Sequence, residues 1–160
     1  MTPTIIVGLI SDTHGLLRPE ALDALAGSDL IIHAGGIGNP AILNALRRLA
    51  PVTAIRGNIA KDAWAQSLPA TEVVQVGGST LLYILHDLAA LDLDPVAAGF
   101  GAVISGHSHR PRFHWADGVL YINPGSAGPR RFSLPISVGR IIVSAAGLAP
   151  NMIPIKPRRT

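Results

Sequence analysis

The chain has 160 residues, 48% of them hydrophobic, which is enough for a core of ordinary size and excludes global disorder. It contains no cysteine, so disulfides, thiolate metal sites and a thiol nucleophile are excluded, and any metal must be held by His, Asp, Glu or Asn. Aromatic residues make up only 4%, and the net charge of +3 comes from dispersed arginines without a basic stripe, so nucleic acid is not indicated as a partner.

Thr4–Ile10 is β-branched and apolar and reads as a buried strand. It is too short to cross a bilayer and lacks the basic flank of a signal peptide, so no membrane association and a cytoplasmic location are expected. Pro19–Ala26 opens on proline and stops at Gly27, as a helix does. Leu30–His33 is a second short strand. Asn39 caps a helix that Pro40 opens and that runs to about Leu49, where Pro51 stops it. Val52–Arg56 follows as a third strand. This alternation predicts parallel pairing with right-handed crossovers.

The second half reads differently. Glu72–Val76 and Thr80–Leu85 flank the turn Gly77-Gly78, and Arg112–Ala116 and Val119–Ile122 flank Asp117-Gly118, two hairpin signals. Between them lie a short helix at Val96–Phe100 and a buried strand at Ala102–Ser105. Ser137–Ser144 and Met152–Ile155 are expected to close the sheets. The fold class is therefore α/β with mixed sheets: two sheets packed face to face with helices outside, in one domain spanning residues 1–160.

Five polar clusters follow predicted strands: Ser11-Asp12-Thr13-His14-Gly15, His33-Ala34-Gly35-Gly36, Arg56-Gly57-Asn58, His86-Asp87 and Gly106-His107-Ser108-His109. In α/β sheets ligands collect beyond the carboxyl ends of strands, which would bring the five together. Asp12 and His14 are two apart, as are His107 and His109, so in extended backbone each pair points the same way. The result is a set of nitrogen and oxygen ligands suited to Zn, Mn or Fe rather than Ca or Mg. His33 sits inside an apolar run and reads as a packed histidine behind the ligands. His114, on a hairpin strand, reads as structural or solvated.

These motifs, in this order and together with Asn123-Pro124-Gly125-Ser126, resemble the short bacterial and archaeal branch of the calcineurin-like metallophosphoesterase superfamily, to which the retromer scaffold subunit is related. The resemblance implies a four-layer αββα sandwich. It also implies a first metal on Asp12, His14 and His109 and a second on Asn58, His86 and His107. The ions implied are Mn²⁺ or Zn²⁺, with Fe or Ni as alternatives. The implied reaction is hydrolysis of a small phosphorylated substrate, a phosphodiester in the first instance, by a metal-bound hydroxide, with Asn58 or His86 stabilising charge on the phosphoryl oxygens. The alternative is a catalytically inactive or metal-dependent binding scaffold on the same fold. Homo-oligomerisation is compatible with either.

One position departs from the pattern. The family places a metal-bridging aspartate where this chain has Gly36, and often a second aspartate where it has Ala60. With Asp12 the sole anion among the six ligand candidates, two divalent ions would keep most of their charge and repel by several kcal/mol at about 3.5 Å. One ion is therefore expected in preference to two, with Asp62 and Asp87 as partial compensation. If the backbone at residue 36 has room, Gly36→Asp is expected to restore the bridge. The Asn123 turn is expected to buttress the site.

Overall fold

The computed structural model describes residues 4–57, 63–131 and 133–157. Asn58, Ala60 and Asp62 lie outside them. In chain order the elements are β1 (Ile5–Ile10), α1 (Pro19–Leu25), β2 (Leu30–His33), α2 (Pro40–Arg47), β3 (Val52–Ala54), α3 (Ala63–Gln66), β4 (Thr71–Val76) and β5 (Thr80–Leu85). There follow a 3-10 turn (Leu88–Ala90), α4 (Pro95–Ala98), β6 (Ala102–Ile104), β7 (Arg112–Ala116), β8 (Val119–Asn123), β9 (Ser137–Ser144) and β10 (Gly147–Pro154).

The strands form two mixed sheets, ordered β10-β9-β1-β2-β3 and β4-β5-β6-β8-β7. In the first, β1 pairs in parallel with β2 from Val7↔Leu30 to Ile10↔His33, and β2 in turn with β3. In the second, β5, β6 and β8 are parallel and the two hairpins supply the antiparallel edges. The Asp117-Gly118 turn has two residues, both at positive φ (51° and 79°), the twist that matches a right-handed hairpin, and it pairs Ala116 with Val119. The other hairpin closes through three residues, Gly77-Gly78-Ser79, with φ of 60° and 90° at the glycines, and pairs Val76 with Thr80.

The core is layered. Val7, Leu9 and Ile32 of the first sheet pack against Leu82, Ile84, Ile104, Leu120 and Ile122 of the second. Each such buried side chain contributes about 1.5–3 kcal/mol of transfer free energy. Ala21, Leu25, Leu43 and Leu46 of α1 and α2 cover the outer face of the first sheet against Ile10 and Ile31. On the far side Leu91, Leu93 and Phe100 cover Tyr83, Leu85 and Val103. The order is helix, sheet, sheet and then the segment that carries the 3-10 turn and the single-turn α4, in keeping with the expected αββα sandwich. No helix among the described residues is long and apolar enough to cross a membrane.

Two elements differ from expectation. β10 begins at Gly147, five residues before Met152, and runs through Pro150, which pairs opposite Ile141. Proline usually ends a strand, but β10 is the sheet edge, where a missing N–H toward solvent costs nothing. α3 is a single turn that its short sequence did not announce.

Candidate metal centre

Parallel strands of both sheets end at one place. β1 delivers Ser11–His14, β2 delivers His33–Gly36, β5 delivers His86, and β6 delivers Gly106–His109. Backbone bonds lace the first two loops together: Asp12 N–H donates to Gly35 O (2.9 Å), His14 N–H to Gly36 O (2.8 Å) and Gly15 N–H to Ile37 O (2.8 Å). Gly106 N–H donates to His86 O (2.9 Å), tying the second sheet's two loops in the same way. A Cβ on Gly106 would collide with the Ser11 hydroxyl and stand 2.8 Å from Asp12 Oδ2, so only glycine lets the two sheets meet here.

Asp12 is the centre of the cluster. It is buried, and its Oδ2 accepts from the Ser11 hydroxyl (2.7 Å) and the His107 backbone N–H (2.9 Å). Its Oδ1 is different. Three imidazole Nε2 atoms surround it, from His14 at 3.4 Å, His109 at 3.5 Å and His86 at 3.7 Å. None closes a hydrogen bond, and Oδ1 finds no donor among the described residues. A buried carboxylate oxygen without a partner is costly, unless something absent from the protein chain satisfies it.

A divalent cation fits that gap. Asp12, His14 and His109 each offer a ligand atom, all within 4.8 Å of one another. The ring of His14 stacks on that of His109 with centroids 5.4 Å apart. His86 Nδ1 lies 2.8 Å from Ala34 O, which can only accept, so Nδ1 carries a proton and Nε2 is the nitrogen that faces Asp12. Fixing one nitrogen with a carbonyl while freeing the other is the usual way a ligating histidine is oriented. Burial pushes the Asp12 carboxyl up, but His14, the Ser11 bond and the charges of His86 and His109 outweigh it and hold it below the usual range. Burial pushes the His109 imidazole down, against the pull of Asp12, so its lone pair stays available.

The remaining candidates are placed less centrally. His107 meets His86 edge-on at 5.3 Å, and its Nε2 lies 3.8 Å from Asp87 Oδ2 rather than on Asp12. Asp87 therefore sits beside His107, and its Oδ1 accepts from Ala89 N–H. Asn58 and Asp62 fall outside the described residues.

Two expectations are corrected. The pairs Asp12/His14 and His107/His109 do not converge by strand alternation. All four have left-handed backbone, with φ of 56°, 45°, 70° and 62°. The strands have ended, and two left-handed residues flank one intervening residue in each pair; Asp12 and His14 meet, whereas His109 turns to Asp12 and His107 to Asp87. Such conformations cost on the order of 1 kcal/mol each and collect at functional sites. The second correction concerns Gly36. Its φ is +71°, and a Cβ there would lie 2.7 Å from Asp12 Oδ1 and 3.2 Å from the His14 ring. The room that Gly36→Asp needs is absent, and a gain of function from that change is not expected.

Behind these ligands stands a support the motifs only partly disclosed. Asn123 Nδ2 donates to Gly106 O (2.9 Å) and to Ser108 Oγ (3.1 Å), while its Oδ1 accepts from Gly125 N–H (2.9 Å). The Ser126 hydroxyl donates to the Asp12 carbonyl (3.0 Å). The turn buttresses both sides of the cluster, as expected. His33 is fully buried: its Nδ1 accepts from Gly35 N–H (3.1 Å), which places the proton on Nε2, 3.0 Å from Thr13 Oγ1. Thr13 then donates to Ile37 O (2.8 Å), so the chain of bonds runs beneath both Asp12 and His14.

The sequence profile of the calcineurin-like phosphoesterase superfamily domain matches residues 5–145. A probable metallophosphoesterase of Methanocaldococcus jannaschii is 32% identical over 96% of this chain and 83% of its own length. Among solved structures, a novel archaeal phosphodiesterase superposes with a TM-score of 0.77 at 22% identity, covering 94% of this chain and 100% of its own. Wild-type Vps29 of Entamoeba histolytica, solved with Zn²⁺, superposes with a TM-score of 0.71 at 20% identity, covering 95% of this chain and 100% of its own.

Proposed function

Since the chain belongs to the calcineurin-like phosphoesterase superfamily, we propose that it is a metal-dependent phosphodiesterase whose principal cation is held by Asp12, His14 and His109 with His86 alongside. One observation carries the reading: a buried carboxylate oxygen, unpartnered, with three imidazole nitrogens at 3.4–3.7 Å. When bound, a divalent cation supplies Lewis acidity and brings the pKa of a coordinated water toward neutrality.

Among the described residues, the Ser11 hydroxyl donates to the Asp12 carboxylate and that of Ser126 to the Asp12 carbonyl, so neither is poised to attack. Water is the proposed nucleophile: its oxygen bonds to phosphorus, the bond from phosphorus to the leaving oxygen breaks, and that oxygen takes up a proton. With Nδ1 committed to Ala34 O, His86 offers Nε2 to the site. Asn58 and His107 remain proposed ligands of a second ion, which Gly36 disfavours by supplying no bridging carboxylate.

Purified protein is expected to contain close to one transition-metal ion per chain by elemental analysis. It should hydrolyse bis-p-nitrophenyl phosphate with added Mn²⁺ and lose that activity in a chelator. Metal bound without turnover favours the second reading, a metal-dependent binding scaffold, which the missing carboxylate at Gly36 supports. The buttress gives a further test. Asn123→Ala strips Gly106 O and Ser108 of their donor and is expected to weaken metal affinity about 10- to 100-fold, measured by calorimetric titration. Unchanged affinity would show the turn to be a mere connection.

A further inference from the structure

A cavity of about 390 Å³ opens beside the metal centre, within the size range of small-molecule sites. Its walls follow from strand alternation at the edge of the second sheet. Arg112 and His114 share one face of β7, and their cross-strand partners on β8 are Asn123 and Tyr121. On this face the His114 and Tyr121 rings stack with centroids 5.0 Å apart and planes within 8°, an aromatic pair in the cavity wall. Leu88, 38% exposed, adds an apolar side chain, and Arg112 adds a cation.

The cavity is continuous with the centre. Gly106 and His107 line it, Gly106 abuts Asp12, and His107 meets His86 edge-on. A phosphorus atom held at Asp12 would thus have one ester arm directed along His107 into the cavity. We propose that this cavity binds a planar aromatic ring carried on one ester oxygen of the substrate, an aryl group or a nucleobase, stacked on the His114–Tyr121 wall. His114 is exposed and lines the cavity, so a ligand ring can extend the stack, and the Arg112 guanidinium in the same lining suits a ring face or an anionic oxygen. This inference rests on the reading of the centre as a phosphodiesterase site.

Binding, measured apart from turnover, separates the two. With Mn²⁺-loaded protein, calorimetry should show phenylphosphonate binding at least about tenfold tighter than methylphosphonate, or AMP at least about tenfold tighter than ribose 5-phosphate. The first preference alone identifies an aryl group, the second alone a nucleobase. His114→Ala, at an exposed position, and Leu88→Ala should each cut the preference to within about threefold. Equal affinities within both pairs, no measurable binding of any of the four, or a preference untouched by both variants would overturn the inference. Ring preference without any turnover of bis-p-nitrophenyl phosphate would instead remove the phosphodiesterase reading and leave the cavity assigned.

Discussion

Asp12→Asn is expected to abolish bound metal and to lower phosphodiesterase turnover at least about 10³-fold, roughly 4 kcal/mol of transition-state stabilisation, without unfolding the protein. The two carboxylate oxygens do different work. Oδ2 accepts from Ser11 and from the His107 backbone, and so joins the first sheet's loop to the second's. Oδ1 faces three imidazoles and finds no hydrogen-bond partner among the described residues. In the variant the amide oxygen takes over the Oδ2 position, because that site needs an acceptor for two donors. The amide NH₂ is then turned toward His14, His86 and His109, placing hydrogens where a cation would stand.

Asp12→Ala makes the contrast. It removes the ligand and the loop bonds together, so it should match Asp12→Asn in metal loss yet melt at lower temperature. Elemental analysis, circular dichroism and the Mn²⁺-supplemented assay read all three properties. A folded Asp12→Asn protein that keeps its metal and its rate would remove Asp12 from the centre of the site.

The layered fold was legible because its signals were local. Apolar strands ended in polar residues, Asn39 accepted from Ala41 N–H to start α2 as an N-cap does, and the Asp117-Gly118 dipeptide fixed the register of its hairpin. The residues that gather at the centre were legible for the same reason, as polar groups at strand ends. Their manner of convergence was not, since left-handed backbone at Asp12, His14, His107 and His109 is decided by loops from two sheets closing on each other. The obstruction at Gly36 was hidden likewise: it is set by the position of Asp12 and His14, distant in sequence. The His114–Tyr121 wall was within reach. A two-residue turn at Asp117-Gly118 pairs 116 with 119 and therefore 114 with 121, so the hairpin alone placed the two rings opposite each other.

His33, one of the buried polar residues, should make the protein acid-labile well above the range where carboxylates titrate. Its Nδ1 accepts from Gly35 N–H, so a second ring proton would face a donor inside a dry core. Burial, helped by the charges of His86 and His14 and opposed by Asp12, lowers its pKa from 6.5 to about 3. A depressed folded-state value means that the unfolded chain binds the proton more readily. Stability from this group is thus fully present above pH 6.5 and is lost progressively as pH falls toward 3. Within that window the loss approaches about 1.4 kcal/mol per pH unit, so metal-free protein should lose on the order of 2 kcal/mol between pH 6.5 and 4.5 from His33 alone. Urea unfolding at a series of pH values, in chelator, measures the slope. His33→Gln should be less stable at pH 7, having lost its bonds to Gly35 and Thr13, but its stability should fall less steeply, by one proton's worth. His109, also pushed down chiefly by burial, titrates in both proteins and cancels from the comparison. Parallel slopes for the two proteins would mean that His33 accepts its proton without penalty, and the neutral, Thr13-bonded imidazole beneath the metal centre would have to be abandoned.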